Sequence, residues 1–182
     1  MKISSFLPIL FVLFLYAGNL YAQDPTTADA NVTVSANVFT ELTVTVNNNV
    51  DFGNIGTNDG PYYLSTGVTG DSGNDGIVSG ETIGQITFSG EDGEGVTISV
   101  TQQAILSDGS NTLNLDETIG DQGADAVLTT PGTITLGTNT NNTGDYILLI
   151  GGSLDDATVS GTYTTGNTGG QVLIINGDYT SI

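Results

Sequence analysis

The sequence predicts an all-β protein that folds as a single antiparallel β-sandwich with long acidic loops. Short runs rich in Val, Ile and Thr alternate apolar and polar residues with a period of two, as half-buried strands do. Clusters of Gly, Asn, Asp and Ser separate these runs, and the chain of 182 residues contains 26 glycines. No window places apolar residues at the three-and-four spacing of an amphipathic helix. Many short strands joined by Gly-rich turns are typical of β-sandwiches.

The predicted strands fall into two groups by their pattern. Apolar residues that alternate with Thr, Ser or Asn predict half-buried strands at 32–38, 42–46, 83–89, 96–101 and 133–136. Continuous apolar runs at 146–150 and 172–175 predict strands that are buried on both faces. Asn176-Gly177 is a favoured two-residue turn, so it predicts a hairpin after the last run.

Two acidic segments, 54–79 and 107–131, predict long loops because Gly and Asp interrupt their few apolar residues. Each segment contains one short strand candidate, at 62–65 in the first and at 126–129 in the second. Glu91-Asp92-Gly93-Glu94 lies between two predicted strands and therefore predicts a charged hairpin tip.

Residues 1–22 predict a cleaved secretory signal peptide. Lys2 supplies the positive start, about a dozen mostly apolar residues follow, and the small residue Ala22 offers the cleavage site. The apolar run is shorter than the roughly 20 residues that a membrane span needs. We therefore expect a secreted protein of the periplasm or the outer cell surface, with a flexible leader at 23–29 and one sandwich domain at 30–182.

The charge of the chain restricts its partners. Lys2 is the only basic residue, the formal net charge is −19, and removal of Lys2 with the signal peptide makes it −20, since −19 minus 1 is −20. No side-chain ion pair can form in such a chain. Nucleic acid and anionic membrane surfaces both require a basic surface, so we exclude them as partners. The expected partners are further copies of the chain or other surface proteins, without membrane insertion of the mature chain.

The composition also argues against an enzyme. The chain contains no Cys and no His, so thiolate catalysis, the usual general base and the usual transition-metal ligand are all missing. A pair of carboxylates, as in glycoside hydrolysis, is the common catalytic set that remains. We expect no catalytic residue and no resident cofactor.

The loop GDSGNDGIVSGE, at 70–81, raises the question of calcium. Four of its residues match the calcium-binding nonapeptide G-G-x-G-x-D-x-U-x, namely Gly70, Gly73, Asp75 and Ile77. A single copy lacks the neighbouring repeats that complete the oxygen shell in such proteins. Two interpretations stay open: a solvated turn rich in Gly and Asx residues, or a weak calcium site with Asp71, Asn74 and Asp75 as candidate ligands.

Three longer stretches carry a resemblance to a known family. They are ANVTVSANVFTELTVTVNNNVDFGNI (30–55), GQITFSGEDGEGVTISV (84–100) and YILLIGGSLDDATVSGTYTTG (146–166). Their order resembles the secreted bacterial family called domain of unknown function 4402. The marks of that family are the Phe52-Gly53 segment, the Gly151-Gly152-Ser153-Leu154 turn and the Gly161-Thr162-Tyr163 strand.

That family is similar in turn to spore-coat-U-like and chaperone–usher pilin subunits. The resemblance implies an immunoglobulin-like, pilin-like sandwich and a structural or adhesive role at the bacterial surface. Pilins of this kind borrow a strand from a neighbouring subunit, which is a form of β-augmentation. Two features depart from pilins: the chain has no disulfide pair, and its last tyrosine, Tyr179, is not the penultimate residue.

The segment that would be donated alternates in its apolar side chains, Val32, Val34, Ala36 and Val38. The same residues could also form the first strand of their own domain, and the sequence leaves both arrangements open. We predict an exported, non-enzymatic structural or adhesive surface protein, which would assemble into a filament or matrix if strands are donated. The alternative is an extracellular module that binds glycan or calcium through its acidic loops.

Overall fold

The computed structural model describes residues 33, 35, 36, 38–138 and 143–180. Two units are distinguished, Met1–Asn37 and Val38–Ile182, and all the strands belong to the second. No helix occurs among the described residues. The twelve strands are β1 Thr43–Asn48, β2 Asn54–Ile55, β3 Tyr62–Leu64, β4 Ile77–Ser79, β5 Gly84–Ser89, β6 Gly95–Gln102, β7 Ile105–Ser107, β8 Thr112–Asp121, β9 Ala126–Val127, β10 Gly132–Thr135, β11 Asp145–Leu154 and β12 Ile174–Tyr179.

Two antiparallel sheets form the body of the domain. The larger has the order β1-β5-β11-β8-β7, with β3 paired to β11 and β9 paired to β8. The smaller has the order β10-β6-β12, and β2 and β4 form a separate two-stranded ribbon. This arrangement confirms the predicted all-β sandwich-type fold.

The main core lies between the two sheets. Alternate residues of β5 and β11, among them Phe88 and Leu148, meet Val96 and Ile98 of β6 and Ile134 of β10. The period of two places every second side chain on the same face, which explains why the sequence pattern predicted these strands. A second cluster around Tyr62, Leu113 and Leu154 fills the end of the sandwich beneath β3.

The second of the two loop predictions was wrong. Residues 112–121, within the predicted loop 107–131, form β8, a ten-residue strand in the middle of the larger sheet. Leu113, Leu115 and Ile119 are buried on one face of β8. Asp116 and Glu117 interrupt this alternation in the sequence, so the segment has the composition of a loop. The two short strands predicted near 62–65 and 126–129 are confirmed as β3 and β9.

The predicted turn at Gly151-Gly152-Ser153-Leu154 was also wrong, because these residues continue β11. They pair with β8 on one side and, from Gly152 onward, with β3 on the other. Gly151 fits a close approach, since a Cβ atom there would lie 2.2 Å from the Leu64 carbonyl oxygen. Gly161-Thr162-Tyr163, predicted as a strand, lies outside every strand.

The C-terminal strand differs from its prediction in both position and burial. β12 covers Ile174–Tyr179, whereas Val172, 53% exposed, precedes it in a non-strand segment. Asn176-Gly177 is no hairpin turn but the middle of β12. A Cβ atom at residue 177 would lie 2.5 Å from the Phe88 ring, so glycine lets β12 approach the core.

The residues described before β1 are assigned to no strand. Thr33, Ser35, Ala36 and Val38 lie outside every strand, and the side chain of Val38 is 91% exposed. Val32 and Val34 fall outside the described residues, as do the predicted signal peptide and leader. Within the described part of the chain, no helix has the length and apolar character needed to cross a membrane.

Candidate functional site

The sandwich is open along one side, where β1 and β12 form the edges of the two sheets. Within the described residues β1 pairs with β5 alone, and β12 pairs with β6 alone. Gly177 of β12 approaches Phe88 of β5, so β12 lies above β5 and no strand of the smaller sheet covers β1.

Because β1 is uncovered, two of its valines are exposed to solvent. Val44 and Val46 pair with Phe88 and Ile86 of β5, and directly opposed residues of an antiparallel pair share a face. Phe88 and Ile86 are buried in the core, whereas Val44 is 46% exposed and Val46 is 61% exposed. The core-facing side of β1 therefore remains in contact with solvent.

A groove of about 660 Å³ runs between these edges. Its walls include Val44 and Val46 on one side and Val172, Ile174 and Ile175 on the other. Among the described residues that line the groove, Asp51 is the only charged one. The groove therefore carries little charge, although the formal net charge of the chain is −19, and Asn and Thr side chains line it together with the apolar ones.

The β1 edge lacks the usual protection against strand addition. Natural edge strands are commonly guarded by Lys, Pro, inward-pointing charges or a covering loop. β1 reads TVTVNN, which contains neither a charge nor a proline. Its unpaired N–H and C=O groups therefore offer a template for one further strand, and the valines offer apolar contacts for its side chains.

Near the start of β1 lies a small hydrogen-bonded cluster, which we call the Thr40 clamp. Its members are Phe39, Thr40, Glu91 and Tyr179. Glu91 Oε2 accepts hydrogen bonds from the Thr40 backbone N–H at 3.1 Å and from its hydroxyl at 2.6 Å. The Tyr179 hydroxyl donates to the Thr40 carbonyl oxygen at 2.8 Å. The hydrogen bonds from Thr40 lower the pKa of the Glu91 carboxyl.

The loop at 70–81 is organised around the Asp71 carboxylate. It accepts hydrogen bonds from the Tyr63 hydroxyl at 2.5 Å, the Ser65 hydroxyl at 3.2 Å, and the Thr66 N–H at 2.5 Å and hydroxyl at 2.6 Å. Burial acts to raise the pKa of Asp71, but these hydrogen bonds lower it by more. Asp71 therefore fastens the loop to the chain that follows β3.

The other two candidate calcium ligands are arranged differently. The Asn74 side-chain oxygen accepts a 2.7 Å hydrogen bond from the Ser65 N–H, and the Asp75 backbone forms a bridge with Tyr63. No group of three or more Asp and Glu side chains suited to a metal ion occurs within the described residues. Oxygens that accept hydrogen bonds from the loop have fewer lone pairs left for a cation, so the calcium hypothesis rests mainly on Asp75.

Several other carboxylates hold turns in the same way. Hydrogen bonds from the Asn111 backbone, the Asn111 side chain and the Ser110 backbone lower the pKa of Asp108 to about 2. Asp121, buried at the end of β8, accepts hydrogen bonds from the Tyr146 hydroxyl at 2.6 Å and from the N–H groups of Gly123 and Ala124. With no cation to pair with, these carboxylates are compensated by N–H and O–H donors.

Tyr62 and Tyr63 are an aromatic pair in the first acidic segment, and stacking on a sugar would need an exposed ring. Tyr62 is fully buried, and its hydroxyl donates to the Gly56 carbonyl oxygen and to Asp156. A buried ring cannot stack on a sugar. Tyr63, next to it, is partly exposed but donates its hydroxyl to Asp71.

The sequence did not predict the groove or the Thr40 clamp. The groove depends on which strands become sheet edges, and that is a property of topology. One signal was present: β1 was predicted from a clean alternation, and an uncharged, alternating strand with no Pro is typical of an edge that accepts another strand. The predicted hairpin tip at Glu91–Glu94 was wrong as a hairpin, because β5 and β6 belong to different sheets and this turn connects the two sheets. Its contact with Thr40, 51 residues away, was not foreseeable.

No family model, no curated protein and no solved structure matches this chain.

Proposed function

We propose that this chain is an exported, non-enzymatic subunit of a surface filament or matrix, whose copies assemble by strand donation. The alternating segment with Val32, Val34, Ala36 and Val38 of one copy enters the groove between β1 and β12 of the next. The observation that carries the proposal is the exposure of Val44 and Val46 on the core-facing side of β1.

The segment and the groove are compatible in length. Residues 32–38 in extended form span about 23 Å at roughly 3.3 Å per residue. β1 has six residues, and β12 also has six, so both edges are of similar length. Four small or branched apolar side chains on one face of the segment suit a groove lined by valines and isoleucines.

The charge distribution also supports association between copies. The stretch 30–40 contains no charged residue, although the whole chain has 20 acidic residues and one basic residue. Contact through a neutral segment and a nearly neutral groove brings few carboxylates close together. Self-repulsion, which a net charge of −19 otherwise imposes, is least at this interface.

The wider role follows from two further points. The resemblance to the secreted family of unknown function 4402, and through it to pilin-type subunits, favours a structural or adhesive function at the cell surface. The lack of Cys and His leaves few means of catalysis.

The test compares two charges placed on adjacent residues of the segment in the full chain. Val34→Asp puts a carboxylate on the apolar face, and Ser35→Asp puts the same charge on the opposite face, because side chains of a strand alternate. Sedimentation velocity and thermal melting are measured for both.

We expect Ser35→Asp to form the same high-mass species as the wild type, while Val34→Asp stays a folded monomer. Loss of folding in Val34→Asp would instead make the segment the first strand of its own domain and overturn the proposal. A wild-type protein that is monomeric under all conditions would also overturn it, and would favour the alternative of a glycan- or calcium-binding module.

A further inference from the structure

We propose that the Thr40 clamp keeps the N-terminal segment out of its own groove and so presents it to a second copy of the chain. This inference rests on the proposed function, since it concerns which copy fills the groove. It assigns to Glu91 and Tyr179 a role in directing assembly.

The position of the clamp gives it this role. β1 begins at Thr43, opposite Ser89 at the end of β5, and β12 ends at Tyr179, opposite Val96 at the start of β6. The turn after Ser89 joins β5 of the larger sheet to β6 of the smaller sheet, so the start of β1 and the end of β12 lie at the same end of the sandwich. The chain therefore enters β1 at one end of the groove.

For the segment to fill its own groove, the chain would have to reverse direction between Val38 and Thr43. Thr40 lies in the middle of that stretch, and all three of its polar groups are engaged by the clamp: the N–H, the hydroxyl and the carbonyl oxygen. A reversal would rotate the Thr40 backbone and break these hydrogen bonds. Phe39 adds to the constraint, because its ring packs on the Tyr179 ring with centroids 5.9 Å apart.

The partners of Thr40 are themselves held firmly. The Glu91 N–H donates to the Tyr179 hydroxyl at 2.7 Å, so the two partners are joined to each other. Gly90 makes room for this contact, since a Cβ atom there would lie 2.1 Å from the Tyr179 hydroxyl oxygen. The Gly90 N–H also donates to the Gly144 carbonyl oxygen. The clamp is therefore built on the turn that connects the two sheets, which the contacts of Gly90 hold in place.

Val38 shows where the chain goes immediately before the clamp. Its side chain is 91% exposed, and the residue belongs to no strand. An occupant of the groove would instead bury this valine.

The experiment uses cysteine cross-linking, which is clean because the chain has no Cys. Ala36→Cys marks the segment and Val46→Cys marks the groove. The two single variants are mixed to detect a disulfide between copies, and the double variant reports the choice between internal and external linkage. The mixture of single variants and the double variant are then both measured again with Glu91→Ala and Tyr179→Phe added. Glu41→Ala serves as the control, because it removes the same charge from the residue next to Thr40.

With an intact clamp we expect disulfide-linked dimers in the mixture and a ladder of multimers from the double variant. Without the clamp, the ratio of internally linked monomer to multimer should rise at least roughly fivefold, the factor for one hydrogen bond of about 1 kcal/mol, because the two substitutions remove three hydrogen bonds to Thr40. Glu41→Ala should leave the ratio unchanged. Should the combined variant lose its cooperative melting, Tyr179→Phe alone carries the same comparison.

The outcomes separate the two proposals. An unchanged ladder in the clamp variants overturns the role of the clamp and leaves strand donation intact. Internally linked monomer as the main product of the intact clamp overturns both. If no disulfide forms between copies in the mixture, and none forms in the double variant, the segment does not enter the groove and strand donation itself fails.

Discussion

The Tyr179 hydroxyl donates a 2.8 Å hydrogen bond to the Thr40 carbonyl oxygen and accepts one of 2.7 Å from the Glu91 N–H. Tyr179→Phe removes both bonds and keeps the ring that packs on Phe39. We expect the free energy of unfolding to fall by about 1–2 kcal/mol, because net contributions are about 1 kcal/mol per bond. Urea titration followed by circular dichroism measures this.

Tyr163→Phe is the matched control for that substitution. The Tyr163 hydroxyl donates to the Val159 carbonyl oxygen and also interacts with the Asp108 carboxylate, so its loss removes contacts that lie outside the clamp. A stability loss in Tyr179→Phe no larger than that in Tyr163→Phe would contradict a structural role for the clamp.

Asp71 makes the loop at 70–81 sensitive to acid. Its pKa in the folded protein lies below the ordinary value of 3.8, so its ionised form favours folding. This contribution is fully present above pH 3.8 and is lost as the pH falls through the lowered pKa. Asp71→Asn should therefore melt below the wild type at pH 6, and the difference should shrink steadily below about pH 4. A difference that stays constant down to pH 2 would rule out this account.

Glu117 lies on the core-facing side of β8, and its Oε2 atom is buried without a hydrogen-bond partner. A buried, unsatisfied carboxylate oxygen costs stability. Glu117→Gln removes the charge with little change of shape, and we expect it to raise the melting temperature by roughly 2–4 °C, equivalent to about 1 kcal/mol. Asp116→Asn removes the same charge from the exposed face of β8. An equal rise in both variants would mean that only net charge matters.

Calcium can act on this chain in two ways, at Asp75 and its neighbours or on the net charge alone. Since Asp71 and Asn74 already accept hydrogen bonds from Thr66 and Ser65, we expect an effect on the net charge alone. Calcium chloride should then raise the melting temperature no more than sodium chloride of equal ionic strength does. A specific calcium effect that Asp75→Asn abolishes would restore the metal site.

The strands that the sequence predicted correctly are those whose pattern is decided locally. β5 alternates buried and half-buried residues along its whole length, and β6 does so over residues 95–99. β8 escaped prediction because Glu117 occupies a core-facing position, so a buried strand acquired the composition of a loop. Asn176-Gly177 led to the same kind of error, because a stretch of strand was predicted as a turn. Glycine is needed at residue 177 so that β12 can approach Phe88, which is 89 residues away along the chain.

The candidate site could not be predicted from the sequence, for a different reason. Val44 and Val46 have the same pattern as valines of a covered strand, and only the order of strands in the sheet exposes them. Likewise, the donors of the four hydrogen bonds to Asp71 are Tyr63 in β3 and Ser65 and Thr66 just after it. The folded path of the chain brings these residues to the loop. Pattern predicts which face of a strand is apolar, but sheet order decides whether anything covers it.

The most direct test of strand donation charges the groove itself. Val46→Asp places a carboxylate in the groove, and Thr45→Asp places it on the other face of β1, beside Thr87. Because Val46 is already 61% exposed, we expect both variants to fold. Sedimentation velocity should then show Thr45→Asp in high-mass assemblies like the wild type and Val46→Asp as a monomer. Assembly of Val46→Asp to the same extent as the wild type would contradict the account.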